Sequence, residues 1–591
     1  MSGYRLPAPQ GAWLDRSRPL RLQFNGRDVP GFAGDTVASA LLAQGIVHVG
    51  RSFKLHRPRG IFSCGVEEPT GLLDIGLGGA RTPNTRATDI AAQDGLQAFT
   101  GNAWPSLEFD LAALSSGFAA LLPAGFYYKT FMWPHWHVFE PTIRRMAGLG
   151  VAADATDPDR YDQVSRQVQV LVVGAGAAGV QAALAAAHCG QQVLLMEGAA
   201  QFEPACAARL PELQQAGVEV HTRCTVFGLY DHRLAAATQV VDGAVRERLW
   251  KIRAERIILA TGAFERPMLF PDNDRPGVML ASAVLRYATH YGVACGRRVL
   301  VNTACDAGHI AARAMLAAGL NVVAVVDHRR AAAVDAMPGV PVFRGSAIVA
   351  VFGKRATSGV AIAAHEGGPI HHVAADCIAS AGGWAPAVNL HSMAGGKLRW
   401  VDDAAMFVPV AGVPGIEAVG ACAGVFDADA SLAHADAVGR GRPVPAPVGG
   451  TGVVVANNSP TPAALATRRR GPGKVFVDLQ NDVTADDVAL AARENYRSVE
   501  HLKRYTTLGM ATDQGKTSNV NALVLMGQLT GRSPGQVGTT KFRPPFKPVT
   551  LGALAAGRTG ALCKPLKRMP GHAWHEAHAP VWEEFGGWQR P

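Results

Sequence analysis

Three stretches of the chain differ in how apolar and polar positions alternate, and each predicts a different kind of module. Residues 20–62 contain short alternating strands, a turn at Asn25-Gly26 and one helix, a pattern typical of a small β-rich module. Residues 168 to about 440 alternate apolar strands with Ala-rich helices, as in a parallel sheet with crossover helices. Thr484, followed closely by two aspartates, marks the start of a small helical module.

Composition narrows the class of protein. A length of 591 residues is enough for about four domains, and 48% hydrophobic against 18% charged residues describes a folded globular chain. The formal net charge is +10, but the basic residues are scattered, so we expect no nucleic-acid partner. No cysteine pair has CxxC spacing, the N-terminus lacks an apolar signal core, and no apolar run approaches the ~18–20 residues that cross a bilayer. We therefore expect a reduced, cytoplasmic protein outside the membrane.

The strongest motif is VQVLVVGAGAAGVQAALAAAHCGQQVLLMEG at residues 168–198. Gly174 permits a tight turn, Gly176 lets the backbone approach a pyrophosphate, and Gly179 lets the helix pack on the strand. Glu197 stands at the end of the second strand, where an acid accepts hydrogen bonds from an adenosine ribose and favours NAD or FAD over NADP. A Gly-rich turn in a non-binding α/β fold is the alternative, but strand, helix and acid accompany the glycines, so dinucleotide binding is preferred.

Two other segments resemble nucleotide motifs less closely. Residues 297–329 repeat the order strand, loop, helix, strand and end at Asp327, but their loop lacks the GxGxxG spacing, so we expect a structural or partly functional second unit. DQGKTSN at 513–519 does not fit a phosphate loop, because five residues separate Gly509 from Gly515 where four are required. Composition alone favours an ordinary polar turn; the alternative is that its Lys, two hydroxyl groups and Asn hold a phosphate by charge and hydrogen bonds. The histidines lack metal-ligand spacing, so no metal site is predicted, and no catalytic residue is assigned.

Several long blocks together carry a family resemblance: RSFKLHRPRGIFSCGVEEPTGLL, AGFYYKTFMWP, VVGAGAAGVQAALAAA, ILATGAFERPMLFPDNDRPGVMLASAVLRY, FVDLQNDVTADDV and SVEHLKRYTTLGMATDQGKTSNVNAL. They resemble the α subunit of heterotetrameric sarcosine oxidases over nearly the whole chain. Related α subunits of N-methylglutamate, opine and proline dehydrogenases share this architecture more loosely.

The resemblance implies an α/β fold: a two-dinucleotide-binding, Rossmann-like flavoprotein domain with an N-terminal β-grasp ferredoxin-like module and a small C-terminal helical module. The implied domains are, in order, 1–110 β-grasp module without a cluster, 111–165 aromatic-rich connecting segment, 166–440 two-dinucleotide-binding domain, 441–473 linker, 474–545 helical module, and 546–591 tail that begins an aminomethyltransferase-like region.

The resemblance also implies cofactors and partners. NAD belongs to the α subunit, FAD to a β-type partner that oxidises the small-molecule amine, and FMN to their interface, with small γ and δ subunits completing the complex. The residues assigned to NAD are Gly174, Gly176, Ala177, Ala178, Gly179, Glu197, Gly198, Thr261 and Gly262. The residues assigned to the FMN phosphate are Thr507, Lys516, Thr517, Ser518 and Asn519.

Two departures from the family pattern change these expectations. Cys64 is the only cysteine of the β-grasp module, and a plant-type [2Fe–2S] cluster needs four thiolates, so no iron–sulfur cluster is predicted. The chain also ends where the folate-binding half of the family begins, so that half is expected to be a separate chain or absent.

The function implied by the resemblance is that of an α subunit in a complex that oxidatively demethylates sarcosine to glycine, formaldehyde and hydrogen peroxide, and that is inactive as an isolated chain. The alternatives are a subunit of an N-methylglutamate, opine or proline type dehydrogenase, a stand-alone NAD(P)H-dependent flavin reductase, and a non-catalytic NAD-binding scaffold.

Overall fold

The computed structural model of the chain describes residues 4–114, 122–126, 129–148, 150–330, 337–410, 412–442, 444–448, 473–558, 560 and 563–591. Most of the predicted linker 441–473 lies outside the described residues. Within them, no helix has both the length and the apolar character that a membrane span requires.

The N-terminal module is a five-stranded mixed sheet with one short helix. The first two strands form an antiparallel hairpin around the predicted turn at Asn25-Gly26, and the first strand also pairs in parallel with a later one. Thr36 caps the helix, and all seven helical residues are buried beneath the sheet. In sheet order the strands are Arg27–Ala33, Asp15–Phe24, Gln97–Thr100, Leu72–Ile75 and Thr82–Arg86; the helix is Val37–Ala43, and Gly50–Arg51 pairs with Pro58–Arg59.

A helix at Trp136–Ala147 belongs to the connecting segment, and a larger domain of two sheets follows. The first sheet is centred on two long parallel strands, and its carboxyl edge carries the glycine motif. In sheet order its strands are Glu219–His221, Val193–Met196, Tyr161–Val173, Glu247–Leu259, Leu234–Val240 and Cys224–Tyr230, with Ile416–Ala418 also paired to Glu247–Leu259. The helices beside this sheet are Ala177–His188, Pro204–Ala207, Leu210–Gln215 and Ala428–Gly439.

The second sheet of this domain is wholly parallel. In sheet order its strands are Val278–Leu280, Cys377–Ala381, Val299–Thr303, Val322–Asp327 and Val342–Arg344, and its helices are Ala281–Tyr291 and Asp306–Ala317. Small antiparallel elements complete the domain: Ala263–Glu265 with Trp384–Pro386, Ser346–Phe352 with Gly359–Ala364 and His371–Val373, Leu398–Val401 with Met406–Pro409, and the helix Asn389–Met393.

The C-terminal module is mainly helical, and the predicted start at Thr484 has a clear local cause. The Thr484 hydroxyl accepts the Asp487 N–H, and the Asp487 carboxylate accepts the Thr484 N–H at 2.9 Å, which makes a complete capping box. The module contains the hairpin Phe476–Asp478 with Val483–Thr484 and the helices Ala485–Arg493, Val499–Thr506, Asn519–Thr530, Pro534–Val537 and Leu551–Ala555. The end of the chain contains helix His572–Ala577 and a small sheet of Lys567–Arg568, Trp588–Arg590 and Glu583–Phe585.

A buried cluster of ion pairs joins the three modules. The Arg59 guanidinium of the N-terminal module pairs with Asp274 of the two-sheet domain and with Asp482 of the helical module. Arg57 also binds Asp274, with Nε 2.7 Å from a carboxylate oxygen. Although burial alone would raise it, the two guanidinium groups hold the pKa of Asp274 below its usual value. The relative position of the modules therefore depends on compensated buried charge.

We expect Arg59→Met to destabilise the chain by about 3–5 kcal/mol, because it leaves the fully buried Asp482 carboxylate without its cation. Urea unfolding followed by fluorescence measures the change. The matched control is Arg21→Met, whose partner Asp28 lies 3.2 Å away on an exposed surface, and its effect should stay below about 1 kcal/mol. Equal effects of the two substitutions would contradict the role given to the cluster.

Candidate functional site

The glycine motif forms a tight loop between strand Tyr161–Val173 and helix Ala177–His188. Gly174 has φ +101°, and a Cβ there would lie 2.4 Å from the Ala260 carbonyl oxygen, so this turn excludes any side chain. A Cβ at Gly179 would lie 2.0 Å from the Gly174 carbonyl oxygen. The sequence predicts a tight turn at Gly174 and close packing of the helix on the strand at Gly179, and both features are present.

Gly176 is in a different situation, because open space lies in front of it. It is the N-cap of the helix, no side chain caps that end, and a Cβ would meet no atom within 4 Å. Ala177 and Ala178 are the first two helical residues, and their small side chains leave the backbone N–H groups of this end accessible. A helix N-terminus with uncapped N–H groups and free space attracts an anion such as a pyrophosphate.

Glu197 follows strand Val193–Met196 and contacts the glycine loop directly. One carboxylate oxygen accepts the Ala175 N–H at 2.7 Å, and the other accepts the Ala199 N–H at 2.8 Å. A carboxylate has about four acceptor positions, so two remain for ribose hydroxyl groups. The side chain is half-buried, and the neighbouring Gly198 is exposed. The acid therefore helps to fix the loop and still presents acceptors to a nucleotide.

Thr261 and Gly262 lie at the end of the neighbouring strand Glu247–Leu259, across the sheet edge from Gly174. The Thr261 hydroxyl donates to the Ala387 carbonyl oxygen at 2.9 Å. Residues at the carboxyl ends of adjacent parallel strands line one crevice, which is where such sheets bind ligands. The structure thus brings together all nine residues that the sequence assigned to the nucleotide.

The second unit has the same element order, but its own side chains occupy the corresponding position. Asp327 is fully buried; its carboxylate lies 2.8 Å from His309 Nε2 and accepts an Arg329 N–H at 2.9 Å. Arg329 also reaches Asp306, in the first turn of helix Asp306–Ala317, at 2.5 Å. Although burial alone would raise it, these hydrogen bonds lower the pKa of Asp327. The geometry agrees with the expectation of a structural unit.

Residues 507–519 form a compact turn whose side chains point in several directions. Thr507 ends helix Val499–Thr506 and uses its hydroxyl on the adjacent Thr506 carbonyl. Thr517 and Ser518 are buried. Gly515 has φ +71°, and a Cβ there would lie 2.0 Å from the Asn519 Oδ1 atom, so this glycine is a requirement of the turn.

Of the five residues assigned to a flavin phosphate, Lys516 and Asn519 line a cavity, and the other three are not among its lining residues. The cavity has about 660 Å³ of non-atom space, counting the part that opens to solvent, and lies between the two-sheet domain and the helical module. Asn519 begins helix Asn519–Thr530, so the first turn of that helix faces the space. The aromatic, amide and cationic side chains that line the cavity include Phe264, Asn389, Lys503, Lys516, Asn519 and Phe542.

Lys516 is almost completely buried at the wall of this cavity. Its Nζ donates to the Asp513 carbonyl oxygen at 2.9 Å and lies 4.8 Å from the centre of the Phe546 ring. Burial lowers the pKa of Lys516 to about 8. Lys503 was not singled out by the sequence, and burial lowers its pKa too. Only the fold places it opposite Lys516, thirteen positions away in sequence. Two cationic side chains and aromatic rings suit an aromatic anion.

Glu265 is a second group that sequence analysis did not find. It ends strand Ala263–Glu265, which begins directly after Gly262, and its carboxylate accepts the Ser282 N–H at 2.7 Å. Burial raises the pKa of Glu265 to about 7. Among the described residues, no group of three His, Cys, Asp or Glu side chains is placed to hold a metal ion.

Comparison with known sequences identifies three regions. Residues 472–558 match the sarcosine oxidase A3 domain, residues 145–266 match the pyridine nucleotide-disulphide oxidoreductase family, and residues 17–103 match the 2Fe-2S iron-sulfur cluster binding domain. The α subunit of sarcosine oxidase from Rhizobium meliloti (strain 1021) is 43% identical over 626 aligned residues, which cover 100% of this chain and 63% of the relative. The chain is thus similar to sarcosine oxidase α subunits along its whole length.

A second member of the sarcosine oxidase α subunit family, from Corynebacterium sp. (strain P-1), is 37% identical over 643 aligned residues, with 100% of this chain and 62% of the relative covered. The chain therefore spans a little under two thirds of the length of these relatives. The crystal structure of L-proline dehydrogenase from P. horikoshii has the same overall fold, with a TM-score of 0.65, 19% identity, and 94% of this chain and 100% of that chain covered. Together these findings establish an α/β flavoprotein fold with a pyridine nucleotide-disulphide oxidoreductase domain and an N-terminal 2Fe-2S-type domain.

The match of residues 17–103 corrects the prediction that no iron–sulfur cluster belongs to this chain. That prediction was wrong because it rested on counting cysteines, whereas the match extends over the whole segment 17–103. The segment itself contains one cysteine, the buried Cys64, and burial raises the pKa of its thiol to about 12. A protonated single thiol does not supply the four thiolates of such a cluster. The residues of the segment alone do not fit the group, and no step proposed below passes through it.

We expect Gly176→Val to weaken dinucleotide binding by at least about tenfold, or about 1.4 kcal/mol, because the side chain would fill the space in front of the helix without touching the protein. Titration calorimetry with NAD measures the loss, and thermal unfolding should show an intact fold. The contrasting control is Gly179→Val, which should impair folding because its Cβ would overlap the Gly174 carbonyl. Full nucleotide binding by Gly176→Val would make the motif purely structural.

Glu265 predicts a pH dependence of stability. Its folded-state pKa of about 7 lies above the usual 4.5, so the folded chain holds more protons between these pH values and stability falls as pH rises through this window. Glu265→Gln keeps the acceptor for Ser282 and removes the charge, so at pH 8 it should be about 1–3 kcal/mol more stable than the natural chain, with little difference at pH 4.5.

Urea unfolding at both pH values measures this difference. Glu255→Gln, at an exposed position, is the matched control and should leave the slope with pH unchanged. A slope that persists in Glu265→Gln would assign the effect to another group.

Proposed function

We propose that the chain is the nucleotide-binding α subunit of a sarcosine oxidase-like flavoenzyme complex, in which sarcosine is oxidatively demethylated to glycine, formaldehyde and hydrogen peroxide. The 43% identity along the entire chain to a sarcosine oxidase α subunit supports the assignment to this class of oxidoreductase. The observation that carries the role of the chain is the uncapped, open helix N-terminus at Gly176 beside the Glu197 carboxylate.

NAD is the nucleotide proposed for the first unit. The loop from Gly174 to Gly179 receives the pyrophosphate through backbone N–H groups, and Glu197 accepts hydrogen bonds from the ribose. A 2′-phosphate next to this carboxylate would be repelled, which favours NAD over NADP. Gly198, Thr261 and Gly262 complete the crevice at the sheet edge, where the Thr261 hydroxyl is already held by the chain itself.

The cavity between the two-sheet domain and the helical module is proposed to hold part of an FMN that is shared with a partner. Lys503, Lys516 and Asn519 would bind its phosphate, and the ring of Phe264 supplies an aromatic wall. FMN supplies electron transfer when bound; the residues of this chain bind and orient it. Thr507, Thr517 and Ser518 are not lining residues of the cavity and are not carried into this proposal.

The partner is proposed to be a β-type subunit that carries FAD and oxidises the amine, with small γ and δ subunits. A stand-alone NAD(P)H-dependent flavin reductase is disfavoured. In the second unit, His309 and Arg329 already hydrogen-bond the Asp327 carboxylate, which a second nucleotide would need as an acceptor. The related amino acid dehydrogenases differ in the amine that the partner oxidises, so the substrate is tested in the assembled complex.

The test is coexpression with a β-type FAD subunit and the small subunits. We expect a complex that contains NAD, FMN and FAD and that forms peroxide with sarcosine. N-Methylglutamate, proline and an opine serve as competing substrates. If the complex prefers one of these substrates to sarcosine, the chain is instead a subunit of one of the related dehydrogenases. If the chain associates with no β-type subunit, the subunit assignment is rejected.

We expect Lys516→Ala and Lys503→Ala to lower the FMN content of the complex by at least about tenfold under dilution, because each removes a cation facing the phosphate. NAD content should not change. Flavin released by heat and nucleotide released by acid are quantified by chromatography. Lys354→Ala, at an exposed position away from the cavity, is the control for loss of a positive charge. Normal FMN content in both cavity variants would refute this placement.

A further inference from the structure

Asp513 is buried, and no side chain donates a hydrogen bond to its carboxylate. The residue is 1% exposed, and both carboxylate oxygens lack a hydrogen bond of normal geometry, although the Gly515 N–H lies near enough to lower the pKa of the carboxyl. The Asp513 N–H donates to the Gln480 side chain at 2.8 Å, and its carbonyl accepts from Lys516. A buried carboxylate in this state is costly unless cations compensate it. The groups around Asp513 therefore have to supply the compensating positive charge.

Two cationic side chains flank Asp513. Lys516 follows three residues later, on the wall of the cavity. Arg86 comes from the N-terminal module; it is 2% exposed, donates to the Thr512 carbonyl oxygen at 2.9 Å and leaves Nη1 without a partner. The carboxylate thus stands among positive charges from two modules, with none of them bonded to it directly. In such a setting its field acts on both cations.

We infer that Asp513 is a positioning residue for Lys516: its carboxylate keeps the Lys516 side chain in the ammonium form and fixed at the cavity wall, so that the cavity retains a phosphate-bearing ligand at neutral pH. The inference rests on the proposed function of the cavity. It adds a residue that does not itself touch the ligand and that the sequence motif does not reveal.

The charged groups around Lys516 shift its pKa in opposite directions. Burial lowers the pKa of Lys516, Asp513 raises it, Arg86 lowers it, and Asp89 and Glu67 raise it. Lys503 faces the same cavity. Burial raises the pKa of Asp513, Lys516, Arg86 and the Gly515 N–H lower it, and Glu68 raises it, with a net rise. Burial and the Asp513 carboxylate raise the pKa of Asp478. Asp513 is therefore the largest single influence that favours the ammonium form.

The test titrates the Lys516 amine directly, without any flavin. Potassium cyanate carbamylates a neutral amine, because the nitrogen lone pair adds to cyanic acid to give a urea, and an ammonium group does not react. The purified full chain is labelled between pH 6 and 10, and labelling at Lys516 is quantified by mass spectrometry. Normalising it to the high-pH plateau of each variant gives the midpoint of the titration. In the natural chain we expect this midpoint at about pH 8.

Asp513→Asn is the first variant. If the pKa of Lys516 falls by one unit from about 8, the neutral fraction at pH 7 rises from about one tenth to about one half, so normalised labelling at pH 7 should rise about fivefold. Arg86→Met is the second, and it should shift the midpoint to higher pH because a like charge has been removed. Lys503, read in the same digests, is the internal control and should shift less in both. An unchanged Lys516 midpoint in the folded Asp513→Asn variant would overturn the inference, as would shifts of the same sign in both variants.

The assembled complex then separates the inference from the proposed function. Dialysis at increasing pH should release FMN from Asp513→Asn at lower pH than from the natural complex, and the double variant Asp513→Asn with Lys516→Arg should restore retention, because arginine stays charged. A labelling shift with unchanged flavin retention would support Asp513 as the group that sets Lys516 and reject a flavin phosphate at that lysine.

Discussion

The buried Arg59 guanidinium, held between Asp274 and Asp482, is the contact on which the arrangement of the three modules depends. Asp482 also accepts the backbone N–H groups of Lys54 and Leu55, each at 2.8 Å, so both its oxygens serve the N-terminal module. The Arg59 guanidinium additionally lies 4.9 Å from the centre of the Phe476 ring. Removing any one charge from such a group leaves the others uncompensated, which destabilises the junction. The cavity lined by Lys503, Lys516 and Asn519 is built from two of the modules that this junction joins.

The two candidate sites use different sources of positive potential. The glycine loop offers backbone N–H groups at a helix end, whose partial charge is fixed by peptide geometry and does not titrate. The cavity offers lysine side chains, whose charge depends on burial and on nearby carboxylates. Affinity for an anion at the loop is therefore set by shape, whereas affinity at the cavity responds to pH.

Sequence analysis recovered the features that are local in the chain. Gly174, Gly179 and Glu197 could be assigned from spacing, because strand, turn, helix and acid follow one another within about thirty residues. The partnership of Arg86 with the turn at Thr512 could not, since 426 positions separate the two residues and only the packed fold brings them together. Lys503 carries no motif, and its role depends on which helical face the neighbouring domain covers. The iron–sulfur prediction failed for a different reason: it counted one residue type, whereas the match to the 2Fe-2S domain covers residues 17–103 as a whole.

In the second unit of the central domain, the acid at the end of the second strand, Asp327, is bound by side chains of the same unit, and this has a consequence for its stability. Arg329 bridges Asp306 and Asp327 within the same chain. Because these contacts are intramolecular, their contribution to the free energy of folding does not depend on the concentration of any ligand. A ligand at the first unit, such as the nucleotide proposed for it, would add stability of RT ln(1 + [L]/Kd), which depends on its concentration. If that proposal holds, two halves built on the same element order differ in one respect: the stability of one sheet edge would follow the supply of nucleotide, and that of the other would not.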